Sequence, residues 1–102
     1  MLDAINEDKQ ALLTLVFSQY GISQVAIFGS FSRGEATDAS DIDLLVRFRK
    51  PVSLLRFIDL KQKLESLLGK PVDLVQYKSI KSKLRPYILK DAKTIYTSEQ
   101  SL

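Results

Sequence analysis

Neither cysteine nor histidine occurs in the 102 residues. Their absence excludes disulfides, thiolate zinc sites, cysteine nucleophiles and histidine bases together, so any chemistry must use carboxylates, hydroxyls, lysine or arginine. No apolar run approaches the roughly 20 residues that span a bilayer. The opening Met1-Leu2-Asp3-Ala4-Ile5-Asn6-Glu7 has neither the basic nor the apolar part of a signal peptide, and a cytoplasmic protein with no membrane partner is expected. Repeats, linkers and low-complexity tracts are lacking too, and 45% hydrophobic content suffices for one modest core. The expectation is a single domain over residues 1–102.

The charge is unevenly spread. Residues 1–46 hold 7 acidic and 2 basic side chains, whereas residues 47–102 hold 13 basic and 5 acidic ones. The acidic half contains the most informative stretch, Phe28 to Val46. Gln24 to Phe28 reads as an apolar strand, and Gly29-Ser30 then lets the backbone turn into a short helix, Phe31 to Glu35, whose free N–H groups can face an anion. Ala36 to Ser40 is a small polar connection. Ile42 to Phe48 reads as a second strand, and strand alternation sends Asp41 and Asp43 out of one face while Ile42 and Leu44 enter the other. Adjacent carboxylates repel unless a cation lies between them, and Mg²⁺ is the usual answer. The alternative is a solvated pair near a turn, with Ser40 as a local cap. Arg33, three residues after Ser30, can reach a phosphate held at the turn or pair with Glu35 or Asp38.

The remaining segments supply elements to pack around these. Residues 3–19 read as an amphipathic helix capped by Asp3, with Ile5, Leu12, Leu13, Val16 and Phe17 on one stripe and Gly21 at its end. Pro51 stops the second strand. A helix follows from an N-cap at Ser53 to Gly69, with Leu54, Phe57, Ile58, Leu60, Leu64, Leu67 and Leu68 as its apolar stripe. Val72 to Gln76 reads as a third strand holding one acid, Asp73, which can join Asp41 and Asp43 if the two strands are neighbours or point to solvent at an edge. Lys78 to Lys93 has helical spacing, interrupted at Pro86, which suits the first turn of a final helix. Thr94 to Thr97 can add a short strand, and 98–102 is expected to fray. The basic residues of 78–93 suit a solvated face, with RNA or an acidic partner as alternatives. This order of elements indicates an α/β (α+β) fold, a small mixed sheet with packed helices.

Gly29-Ser30, Arg33-Gly34 three residues on, and Ser40-Asp41-Ile42-Asp43 with Val46, all within one strand–turn–helix–strand unit, together resemble the nucleotidyltransferase superfamily that includes DNA polymerase beta. The pattern is most similar to the minimal nucleotidyltransferases that act as antitoxins paired with HEPN toxins. The resemblance implies transfer of a nucleoside monophosphate from an NTP, most readily ATP, to an acceptor hydroxyl. Asp41 and Asp43 would bridge two Mg²⁺ ions, and Asp73 would complete the acceptor-side metal and help take the acceptor proton. Gly29 and Ser30 would hold the triphosphate, Arg33 would neutralise its outer charge, and Ser40 would belong to the same nucleotide site. Larger relatives add domains that grip the acceptor, so here a partner is expected to bring it: a tyrosine of a HEPN toxin. Occlusion of the toxin without catalysis, or service as the catalytic subunit of a small-molecule nucleotidyltransferase, are the alternatives.

Overall fold

A computed structural model describes residues 7–98. Helix α1 (Glu7–Gln19) leads to β1 (Ile22–Phe28), a single-turn helix α2 (Ser30–Arg33), β2 (Ile42–Phe48), α3 (Leu54–Leu68), β3 (Val72–Gln76), a 3-10 turn (Tyr77–Ser79), α4 (Arg85–Asp91) and β4 (Lys93–Thr97). The strands form one sheet in the order β3-β2-β1-β4. β1 runs antiparallel to β2 and β4, whereas β2 and β3 are parallel and joined through α3, so the sheet is mixed, as expected. The expected cap at Asp3, the stripe position at Ile5 and the tail from residue 99 lie outside the described residues.

Alternation along the strands divides the sheet into two unlike faces. Ile42, Leu44 and Val46 of β2, Val25 and Ile27 of β1, and Val72 and Leu74 of β3 form the main core with Leu13, Val16 and Phe17 of α1 and Leu60 and Leu64 of α3. The intervening residues face the other way, where Ala26, Leu45 and Ile80 make a smaller cluster with Phe28, Val75, Tyr77, Ile88 and Ala92. Among the described residues α4 and the 3-10 turn are the elements that cover that second face, which leaves part of it open.

Local signals explain the element ends. The Ser53 hydroxyl accepts the Arg56 N–H at 3.1 Å, an N-cap, and Gly69 closes α3 in the left-handed conformation, donating its N–H to the Glu65 carbonyl at 2.8 Å. Two expected stripes are narrower than their sequences suggest. Leu12 of α1 and Leu54 and Ile58 of α3 are exposed, as is Leu55, because the core receives α3 through Leu60 and Leu64 while its first turns extend beyond the buried strip. The break expected at Pro86 is present: within the Lys78 to Lys93 segment only Arg85–Asp91 is α-helical, with Pro86 in its first turn. Pro86 supplies no N–H and restricts the residue before it, so the preceding segment falls into turns, and Lys93 already belongs to β4.

Candidate active site

Gly29 ends β1 and starts α2 with φ 73° and ψ −151°, a region populated almost only by glycine. A Cβ built there would lie 2.1 Å from Asp43 Oδ2, so the missing side chain is what lets the turn and the carboxylate meet. Gly29 also leaves the start of α2 without a side-chain cap, and the first N–H groups of a helix have no partner within it. Ser30 opens that turn, half-buried, with its carbonyl accepting the Glu35 N–H at 2.9 Å.

The three acids come from two strands. In the β2–β3 ladder Asp43 stands directly opposite Asp73, and in the β1–β2 ladder it stands opposite Phe28, the residue before Gly29. Asp41, two residues before Asp43, shares its side of the chain. Asp43 is half-buried, whereas Asp41 and Asp73 are exposed. Burial first, then the charges of Asp73 and Asp41, push the Asp43 carboxyl above the usual carboxylate range, while Arg33 pulls it the other way. Asp73, Asp41 and Arg33 therefore each lie within electrostatic reach of Asp43.

The expected enclosure of metals by three carboxylates is only partly present. Among the described residues no three acidic side chains close into a group that could hold a metal ion. Backbone register nevertheless sets Asp43 and Asp73 opposite each other on adjacent strands. The donor set is all hard oxygen, the kind that Mg²⁺ takes, and the glycine turn beside Asp43 allows close approach of a phosphate. In donor chemistry and backbone placement the residues fit a Mg²⁺-nucleotide.

Two other expected site residues are engaged locally. Arg33 Nη1 donates to Asp91 Oδ2 at 2.7 Å and its Nε to Glu35 Oε2 at 3.3 Å. These carboxylates, Asp91 first, hold the guanidinium more firmly protonated. The pairing thus goes to Glu35 and Asp91, whereas Asp38 was the other candidate in the sequence, and a phosphate would have to compete for Arg33. Ser40 Oγ accepts the Thr37 N–H at 2.9 Å and closes the turn before β2, which is the local-cap alternative. Sequence reasoning missed Asp91 and Ser32. Buried Ser32 donates its hydroxyl to the Asp91 carbonyl, so α2 is fastened to the end of α4 by two contacts across nearly 60 residues, a separation at which no local pattern signals a pair. Lys70 was also missed; its Nζ donates to the Asp38 carbonyl at 2.9 Å and ties the loop before Asp41 to the start of β3.

Comparisons with known proteins point to one family. The family model described as polymerase beta, nucleotidyltransferase, matches residues 12–101. Protein adenylyltransferase MntA of Thermococcus cleftensis is 49% identical over 51 residues, 50% of this chain and 52% of that protein, so the match spans about half the relative's length. A candidate protein adenylyltransferase of Methanocaldococcus jannaschii is 42% identical over 88 residues, covering 86% of this chain and 94% of the relative. Among solved structures, a candidate minimal nucleotidyltransferase superposes with a TM-score of 0.77 at 38% identity over 92% of this chain and 95% of the other. A toxin–antitoxin structure with AMP-PNP gives 0.75 at 28% identity, covering 94% and 77%. The chain belongs to the polymerase beta nucleotidyltransferase family, and within it is similar to the minimal nucleotidyltransferases of the MntA kind.

Proposed function

We propose that this protein transfers AMP from ATP to a hydroxyl on a partner protein, a tyrosine of a cognate HEPN toxin, and acts thereby as an antitoxin. The observation that carries the reading is the position of Asp43, opposite Asp73 across the β2–β3 ladder and against the glycine turn that starts α2. Relatives named protein adenylyltransferase, and the toxin–antitoxin neighbour with AMP-PNP, support the nucleotide and the partner.

In this mechanism the backbone at Gly29 and Ser30 receives the triphosphate, and Asp41, Asp43 and Asp73 hold Mg²⁺. Mg²⁺ held there would supply positive charge against the charge that develops on the phosphate and leaving group. The acceptor oxygen bonds to the α-phosphorus, the bond from that phosphorus to the α,β-bridging oxygen breaks, and pyrophosphate leaves. Exposed Asp73 takes the acceptor proton, a task no histidine is present to perform. Arg33, released from Asp91, would meet the outer phosphates.

Mass spectrometry of the cognate toxin after incubation with the protein, ATP and Mg²⁺ tests this. One or more added AMP units are expected with the wild type and none with Asp41→Asn or Asp43→Asn. Toxin silenced with no added mass, and silenced equally by both variants, would make occlusion the mechanism.

A further inference from the structure

The face of the sheet that carries the acids continues into a basic cleft at its other end. A cavity of about 360 Å³ is lined by Arg47, Arg49, Lys50, Gln76, Tyr77 and Lys78, and no carboxylate of the described residues lies in its wall. The Arg47 guanidinium lies over the Tyr77 ring, 3.5 Å from its centre, and Arg47, Lys50 and Lys78 are exposed. A second cavity of about 230 Å³, lined by Gln24, Ala26, Leu45, Leu89 and Ala92, shares Arg47 and Tyr77 with the first. The two cavities therefore adjoin at the Arg47–Tyr77 pair and lie one after the other along β2, the second reaching Leu45, two residues from Asp43. Arg47 lies four residue steps along β2 from Asp43, about 13 Å at a strand's rise.

We propose that this cleft is a second anion site, which takes the phosphodiesters of a short single-stranded nucleotide chain. Three exposed cations, Arg47, Lys50 and Lys78, set around the concavity supply the charge, and a guanidinium over a tyrosine supplies a flat cationic surface suited to stacking a base, the pairing typical of single-strand binding. An acidic peptide would use the cations and leave that planar surface without a role. The site goes beyond AMP transfer to a protein and does not depend on it. A chain seated there would run along the sheet face toward Asp43.

Fluorescence anisotropy with labelled hexaadenylate and the full chain tests it. Saturable binding that weakens steeply with salt is expected, and Lys50→Glu/Lys78→Glu should weaken it about tenfold or more. Both positions are exposed, so that variant should melt as the wild type does; Arg47→Gln, which keeps a polar side chain, provides a second loss of binding. Stabilisation of the double variant by Mg·ATP should match that of the wild type, separating failure here from failure of the transfer reading. Unlabelled AMP should compete far less well than hexaadenylate, and hexaglutamate hardly at all. Absence of binding at low salt, or unchanged binding by both variants, overturns the proposal. Equal competition by AMP would make the cleft a mononucleotide site, and equal competition by hexaglutamate would make it a surface for an acidic protein; either also overturns it.

Discussion

The two faces of the sheet are built by alternate residues of the same strands and have opposite properties. On β2, Ile42, Leu44 and Val46 are buried beneath α1 and α3, whereas Asp43 and Arg47, interleaved with them, emerge on the face that α4 only partly covers. A strand of 7 residues thus carries a core and a charged site with one backbone between them. The teaching is that the packed face fixes the positions of the charged one: each aliphatic that settles in the core sets the height and direction of its polar neighbours. Changes on the packed face should then cost stability first and function as a consequence, while changes on the open face should cost function with little loss of stability.

Leu60→Ala presses hardest on that contrast. Leu60 is fully buried in the core formed with the sheet, and truncating such a leucine costs about 2–5 kcal/mol through lost burial and the cavity left behind. For a chain of this size that is a large share of the total stability. Urea unfolding should show the midpoint falling steeply. A loss under about 1 kcal/mol would mean that α3 does not provide the packing that holds β2 and β3 in place.

Gly29→Ala acts where the two faces meet and should cost about 1–3 kcal/mol, the usual cost of a disfavoured backbone conformation. Its new methyl would also meet the Asp43 carboxylate, so the carboxyl must swing away from the turn. Stabilisation by Mg·ATP in a thermal-shift titration should disappear even where the variant remains folded. Retention of the full nucleotide-induced shift would separate the glycine turn from the nucleotide.

The open face was the more legible of the two in the sequence. Gly29-Ser30 and Asp41-Ile42-Asp43 are local patterns, and period-2 alternation sufficed to put both acids on one side; Asp73 needed only the parallel pairing of β2 with β3. The limits of β2, α3 and β3 were also readable, since Pro51, Ser53, Gly69 and Pro71 punctuate the chain. Leu54 and Ile58 misled because helical periodicity tells which residues share a stripe but not how far the neighbouring core extends along it. Asp91 escaped for a different reason: an ion pair between residues 33 and 91 depends on how α4 returns across the sheet, which periodicity does not encode. Tyr77 beneath Arg47 is of the same kind, a contact between adjacent strands' ends that appears only once the strands are side by side.

Asp43→Asn should have the smallest effect on stability, and its sign should be opposite to the other two. The native protein holds the Asp43 carboxyl above its ordinary range through burial and the charges of Asp73 and Asp41. The ionised carboxylate meets that burial and repulsion in the folded chain and not in the unfolded one. As pH falls through the raised folded value, the native state takes up a proton before the unfolded state does, so this group's contribution to stability improves on acidification and is complete below the ordinary carboxylate value. Asparagine removes the charge at every pH. Without nucleotide, Asp43→Asn should therefore be more stable than the wild type near neutrality, by on the order of half a kcal/mol once solvent screening of a half-exposed carboxylate is allowed for. That advantage should shrink as the buffer is taken from about pH 7 to about pH 4. Parallel melting curves of the two proteins measure it directly. An advantage that stays constant or grows with acid would show that Asp43 does not bear the repulsion assigned to it, and would remove the electrostatic reason for a cation between these carboxylates.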